Sequence, residues 1–174
     1  MGAIKTQHLP NYSIEDYQQW EGDWQLIQGV PFAMSPSPTR AHQQMAGDLF
    51  TWLKLMLDQS TCSCKVFYEL DLLVDNHTVV RPDLMVLCGP PEEDYPDKAP
   101  GLIVEVLSKR TEQMDRQIKM EIYQRFGVLH YWLADPTSGQ MEFMKLSDRF
   151  ELTERPEAIA LDMCKLDLDW ALLG

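Results

Sequence analysis

Glu105 stands inside an otherwise aliphatic run, Leu102-Ile-Val-Glu-Val-Leu107. Such a run reads as a strand buried on both faces. A lone ionised carboxylate in an apolar interior is strongly disfavoured, so it is normally paired, bound to metal or protonated. Asp83, 22 positions earlier, follows Pro82 and opens a second aliphatic run, Leu84 to Cys88. Neighbouring strands with one carboxylate each would set two oxygens around one hard cation. Magnesium suits that pair, because it takes one or two protein carboxylates and keeps waters for a phosphate. Two plainer roles stand beside this one: Asp83 capping a turn after Pro82, and Glu105 pairing with a buried Arg81 or Lys119.

Lys119 follows Asp115 by four residues and precedes Tyr123 by four. On a helix over residues 111–126, ending at Gly127, the three share one stripe. At a surface, Asp115 and Lys119 would form an ion pair of only ~0.3–0.5 kcal/mol. Facing the carboxylates, the stripe would instead deliver an ammonium to them. His42 opens a long helix, where catalytic, dipole and packing roles are all open. Arg40, Lys109 and Arg110, with Arg116, are basic groups able to meet a phosphate; Lys109 and Arg110 could equally solvate a helix entrance.

The elements that must position these groups are legible in outline. Ser13 with Asp16 marks a capped short helix. WQLIQG and VPFAMS form a hairpin turning at Gly29. After the proline-rich SPSPT loop, Met45, Leu49, Trp52, Leu53 and Met56 recur at helical spacing, giving a helix over residues 39–58. KVFYELDLLV reads as one strand and VVRPDLMVLC as the next, with Pro82 at an edge or bulge. A polar loop, GPPEEDYPDKAP, leads into the Glu105 strand; HYWLAD and QMEFMKL follow as a hairpin around a turn at residues 136–139. The class is α+β, a mixed sheet with one helix before and one after its central strands.

The 174 residues, 45% of them hydrophobic, suffice for one domain over residues 1–174. No apolar run reaches ~20 residues, and the N-terminus lacks the apolar stretch of a signal peptide. A formal myristoylation pattern from Gly2 to Thr6 carries little weight. The 10 methionines read as core filling. The net charge of −12 argues against non-specific nucleic-acid binding. Cys62, Cys64, Cys88 and Cys164 are expected to be reduced and unpaired, in a cytoplasmic protein. Cys62-Ser63-Cys64 is too tight for ordinary zinc spacing, and no His or Cys pair completes it.

Taken in order, Pro82-Asp83, then Glu105-Val106-Leu107, then a helix with Asp115 and Lys119, resemble the PD-(D/E)XK nucleases. Within that superfamily the Uma-type restriction-endonuclease family is the nearest likeness, from about Trp24 to Leu146. The matching blocks are LIQG, MSPSP with His42 after it, VRPDLMVL, GLIVEVLS, Asp115 with Lys119 and Tyr123, and FGVLHYWLADP. The resemblance implies a restriction-endonuclease-like core, a mixed sheet flanked by helices with an N-terminal β-hairpin. It implies a Mg²⁺- or Mn²⁺-dependent DNA endonuclease, with Asp83, Glu105 and the Val106 backbone carbonyl as metal ligands. A lysine would orient or help deprotonate the attacking water. Its usual position, two after the glutamate, holds Leu107, so Lys119 is expected to supply the ammonium from the helix. Val30 stands where family members often carry glutamate, and Gln25 and Gln28 where acids are common. A homodimer is expected, since cutting both strands of a duplex usually takes two sites. The alternatives are a protein-interaction module that kept the fold without the activity, and a hydrolase of another phosphate ester.

Overall fold

The computed structural model describes residues 10–34, 37–90, 94–162 and 164–173, so the Gly2–Thr6 pattern lies outside it. Helix α1 (Ile14–Tyr17) opens on a reciprocal cap, with Ser13 and Asp16 each accepting the other's backbone N–H. Strands β1 (Trp24–Ile27) and β2 (Val30–Ala33) form the expected hairpin. Gln28 and Gly29 both take positive φ there, 51° and 77°, the backbone of a tight two-residue turn. Helix α2 (Arg40–Gln59) starts one residue inside the expected range, because Thr39 caps it by accepting the His42 N–H.

Two segments that read as single strands are each two strands in two sheets. The first breaks into β3 (Cys64–Tyr68) and β4 (Leu72–Asp75), the second into β5 (Thr78–Val80) and β6 (Leu84–Cys88). Glu69 turns the chain with φ 47°, and Pro82, which has no N–H for a ladder, interrupts the second segment. The breaks lie side by side: the Glu69 N–H donates to the Asp83 carbonyl at 3.0 Å, and Arg81 Nε bonds Asp71 at 2.7 Å. At the first break Glu69-Leu70-Asp71-Leu72 keeps a strand-like alternation, and at the second Arg81-Pro82-Asp83 reads equally as a bulge within one strand, so periodicity alone does not reveal the change of sheet.

One sheet is antiparallel, in the order β2-β1-β5-β4. The larger sheet runs β10-β9-β8-β7-β6-β3, built also from β7 (Leu102–Val106), β8 (His130–Ala134), β9 (Met141–Leu146) and β10 (Phe150–Thr153). Only β7 and β8 pair in parallel, and the helical crossover between them carries Asp115 and Lys119. The crossover begins as a π-helical turn (Met114–Lys119), continues as α3 (Met120–Phe126) and ends at Gly127 with φ 93°. Strands β11 (Ala158–Leu161) and β12 (Cys164–Asp167) form a terminal hairpin.

The larger sheet divides two cores. Leu102, Val104 and Val106 pack with α2, Trp132 and the β11–β12 hairpin. Ile103 and Leu107 pack on the other face with Ile122, Tyr123 and Tyr131. By strand alternation Glu105 faces this second side, toward the crossover helix.

The cysteines differ from expectation. Cys62 is bonded to Cys164 and Cys64 to Cys88, with no free cysteine among the described residues. Cys64 and Cys88 face each other across β3 and β6, and Cys164 opens a hairpin packed beside Cys62. A sequence separation of 102 residues conceals that contact.

Candidate active site

Register brings the two carboxylates together. On β6 and β7, Leu84 faces Val104, and one further step sets Asp83 opposite Glu105. The Val106 N–H donates to Asp83 Oδ2 at 2.7 Å, fixing that side chain against β7. The Asp83 N–H approaches Glu105 Oε2 at 3.4 Å, a weak contact that leaves this oxygen open to a better partner. His42, from the first turn of α2, places Nε2 3.4 Å from Asp83 Oδ2, and its ring also meets the Val106 carbonyl. Asp83 is thus held against β7 beside Glu105, through the Val106 N–H and its own N–H, with His42 on its other side.

Lys119 reaches Glu105 from the helix. Its Nζ lies 2.9 Å from Glu105 Oε1 and 3.3 Å from Asp115 Oδ1. The Tyr123 hydroxyl donates to the same Glu105 oxygen at 2.8 Å, and Tyr131 donates to the Asp115 carbonyl. All three residues of the stripe point inward, with Lys119 5% and Asp115 2% exposed, so the surface-pair reading is excluded. The π turn helps. Residues four apart overshoot a full α turn by about 40°, whereas the wider π turn undershoots, so the drift from Asp115 to Lys119 to Tyr123 largely cancels. Leu107, where a lysine is usual, fills the core on the same face.

Charge is unbalanced in this cluster. Glu105, Asp115 and Asp83 surround one buried ammonium. Burial pushes the Glu105 carboxyl up to about 8, reinforced by Asp115 and Asp83 and only partly opposed by Lys119. Asp115 is raised for the same reasons. Burial alone would lower the Lys119 pKa, but the surrounding carboxylates outweigh it and keep the ammonium charged. The neighbouring carboxylates raise both groups, since negative potential makes each hold its proton more tightly, and at Glu105 Asp115 and Asp83 add to the larger effect of burial. His42 is also raised, chiefly by its hydrogen bond to Asp83. Among the described residues two buried side-chain atoms lack hydrogen bonds: Asp115 Oδ1, held only at ion-pair distance, and His42 Nδ1. A carboxylate-rich, oxygen-donating cluster with such an orphaned oxygen fits a hard divalent cation.

The other predicted residues stand further out. Arg40, Lys109 and Arg110 are exposed, the first just before His42 and the others just beyond the Glu105 strand. Arg116 is taken up by Glu112 and Glu142. Arg81 pairs with Asp71 and Asp23 and so is not the partner of Glu105. Gln25 is buried, its side chain accepting the Arg81 N–H, while Gln28 is exposed in the hairpin turn and Val30 faces Ile27. The stripe spacing places Tyr123 but assigns it no role; its hydroxyl proves to be a second partner of Glu105 Oε1. Glu69, exposed at its turn, meets Asp83 through its backbone N–H, in an uncommon backbone conformation that no residue pattern signals.

A family profile described as "Uma2: Putative restriction endonuclease" matches residues 14–169. The chain belongs to the Uma2 family. An uncharacterized protein of Synechocystis is similar over 147 residues at 28% identity, covering 80% of this chain and 77% of that relative. The fold also resembles a crystal structure of a putative nuclease belonging to DUF820 from Anabaena variabilis, with a TM-score of 0.69 at 16% identity. That likeness covers 85% of this chain and 87% of the other, so the two share one mixed α+β architecture. The Uma2 profile spans every residue of the cluster, from His42 on α2 to Tyr123 on α3.

Proposed function

We propose that this Uma2 protein is a Mg²⁺-dependent endonuclease hydrolysing phosphodiester bonds of DNA. The observation that carries the reading is a buried cluster with three carboxylates around one ammonium, open at Glu105 Oε2 and Asp115 Oδ1. Asp83, Glu105 and the Val106 carbonyl would hold Mg²⁺ or Mn²⁺. The bound cation would acidify the attacking water and neutralise charge on the phosphate. Lys119 keeps its proton and presents fixed positive charge where negative charge grows in the transition state. Tyr123 orients the Glu105 carboxylate, and the Val106 N–H does the same for Asp83. His42 is an accessory group that adds positive charge beside Asp83. Arg40, Lys109 and Arg110 would meet the phosphate backbone, weakly, given the net charge of −12. The working form is a cytoplasmic homodimer, one site for each strand of the duplex.

A second reading has its own support. The Lys119–Glu105 pair is complete without any cation, and Leu107 has replaced the in-strand lysine. Together with the acidic surface, this fits a protein-interaction module retaining a nuclease fold. Plasmid cleavage in Mg²⁺ and in Mn²⁺ separates the two. The proposal expects nicked and linear products from the wild type and none from Glu105→Gln; cleavage by neither, or equally by both, rejects it.

A further inference from the structure

The four cysteines form a second cluster, separate from the carboxylates. They come from three separate parts of the chain: Cys62 and Cys64 at the entry to β3, Cys88 at the end of β6 and Cys164 at the start of β12. Cys62 and Cys164 are bonded to each other, as are Cys64 and Cys88, and the two pairs touch, with Cys64 Sγ 3.8 Å from Cys164 Sγ. The sulfurs of Cys62, Cys64 and Cys164 all lie within 4.8 Å of one another. A tetrahedral zinc thiolate, with Zn–S near 2.3 Å, holds its sulfurs about 3.8 Å apart. The contact between the two pairs already has that spacing. To reach that spacing the sulfurs of each opened pair separate by about 2 Å, while Cys88, bonded to Cys64 but outside the group of three, moves in toward Cys62 and Cys164.

We propose that, once reduced, Cys62, Cys64, Cys88 and Cys164 bind one zinc ion as a four-thiolate site, interconverting with the two disulfides. The tight Cys62-Ser63-Cys64 pair is completed across the fold by Cys88 on β6 and Cys164 on β12. Each disulfide takes up two electrons and two protons from a dithiol reductant, which is itself oxidised to a disulfide. The four thiols then give up their protons as zinc binds. Soft thiolate donors select zinc over the hard cations suited to carboxylates. In a reducing compartment, clustered cysteines of this kind serve metal binding more often than disulfide formation. In either state the cluster ties the β11–β12 hairpin to the β3–β6 edge of the larger sheet. That hairpin contributes Ile159, Leu161 and Leu166 to the core shared with Trp52 and Trp132.

Cobalt titration of the full chain tests this, because tetrahedral cobalt thiolates have intense visible and sulfur-to-metal charge-transfer absorption. After reduction with a phosphine, which becomes its oxide, the chain should take up one Co²⁺ with those bands, and Zn²⁺ should bleach them. The oxidised chain should show none. Glu105→Gln and Asp83→Asn should retain the bands in full, since oxygen ligands cannot produce them, so the result stands whether or not the protein cuts DNA. Cys88→Ser should weaken or shift them. Should that variant fail to fold, thiol counting on the reduced wild type replaces it: four reactive thiols without zinc, and strong protection of all four with one equivalent. A reduced wild-type chain that gives no thiolate bands overturns the proposal. So do four thiols equally reactive with and without zinc, whether the chain stays folded or unravels.

Discussion

Two ion networks lie along the paired chain breaks, and both set one cation among carboxylates. At the first, Arg81 bonds Asp71 and Asp23, and the Tyr17 hydroxyl donates to the other Asp71 oxygen. Asp23 is largely exposed, so solvent shares the charge. At the second, Lys119 holds Glu105 and Asp115 out of water, with Asp83 close by. The first network satisfies both oxygens of its buried carboxylate, Asp71. The second leaves Asp115 Oδ1 without a hydrogen bond and Glu105 Oε2 with only a long one. Similar residue types thus make a brace in one place and a buried charge cluster with incomplete hydrogen bonding in the other. The difference lies in burial and in the completeness of hydrogen bonding, since an unmet polar group in low dielectric persists where something else supplies its partner.

The largest effects should fall on the buried cluster. Glu105→Gln should reduce cleavage to background and remove the rise in melting temperature that Mg²⁺ gives the wild type. Asp83→Asn should match it, and the double variant should be little worse than either, because residues sharing one cation are strongly non-additive. Additive losses would mean two separate sites and break the contrast with the brace.

Lys119→Met comes next. It should lower cleavage by about two orders of magnitude, the usual loss for one electrostatic contact to a transition state. It should leave Mg²⁺ affinity equal or higher, since a competing cation has gone. Stability should fall by about 3–5 kcal/mol, as for one partner removed from a buried pair, and Mg²⁺ should restore part of it. Chemical denaturation with and without the metal reads this directly.

Arg81→Met supplies the opposite pattern. It should destabilise by about 1–3 kcal/mol through the unpaired Asp71, while Mg²⁺ affinity changes little. A large loss of Mg²⁺ binding in this variant would show that the brace belongs to the site. Tyr123→Phe is the mildest change, about 1 kcal/mol for one hydrogen bond, with cleavage reduced less than in Lys119→Met.

Much of the site is legible before the fold. A carboxylate within Leu102–Leu107 demands a partner, and the Asp115–Lys119–Tyr123 spacing shows which helix face provides it. Helical spacing and the Gly127 terminus are local signals and fix both ends of α2 and the end of α3 to within a residue, whereas the crossover helix begins with its π turn at Met114 and not at 111. What stays hidden is non-local. The switch of sheets at Glu69 lies inside an alternating Glu-Leu-Asp-Leu stretch, and the one at Arg81-Pro82-Asp83 looks in sequence like a bulge within one strand. The π turn widens the helix by a fraction of a turn that side-chain spacing cannot resolve. The meeting of Cys62 with Cys164 depends on a hairpin docking across the whole chain.

The central claim is that the excess negative charge around Glu105 is the seat of a divalent cation. Without one, the raised Glu105 pKa stabilises the folded chain at low pH, and that contribution is lost as pH climbs from the ordinary 4.5 to about 8. Mg²⁺ binds the ionised carboxylate, so it must displace that proton. Calorimetric titration near neutral pH, in two buffers of different ionisation enthalpy, reads both events at once. The account predicts one Mg²⁺ per chain, net proton release, affinity that rises with pH and levels off above about 8, and no binding by Glu105→Gln. Absence of binding by the wild type, or binding by Glu105→Gln with equal affinity, would contradict it.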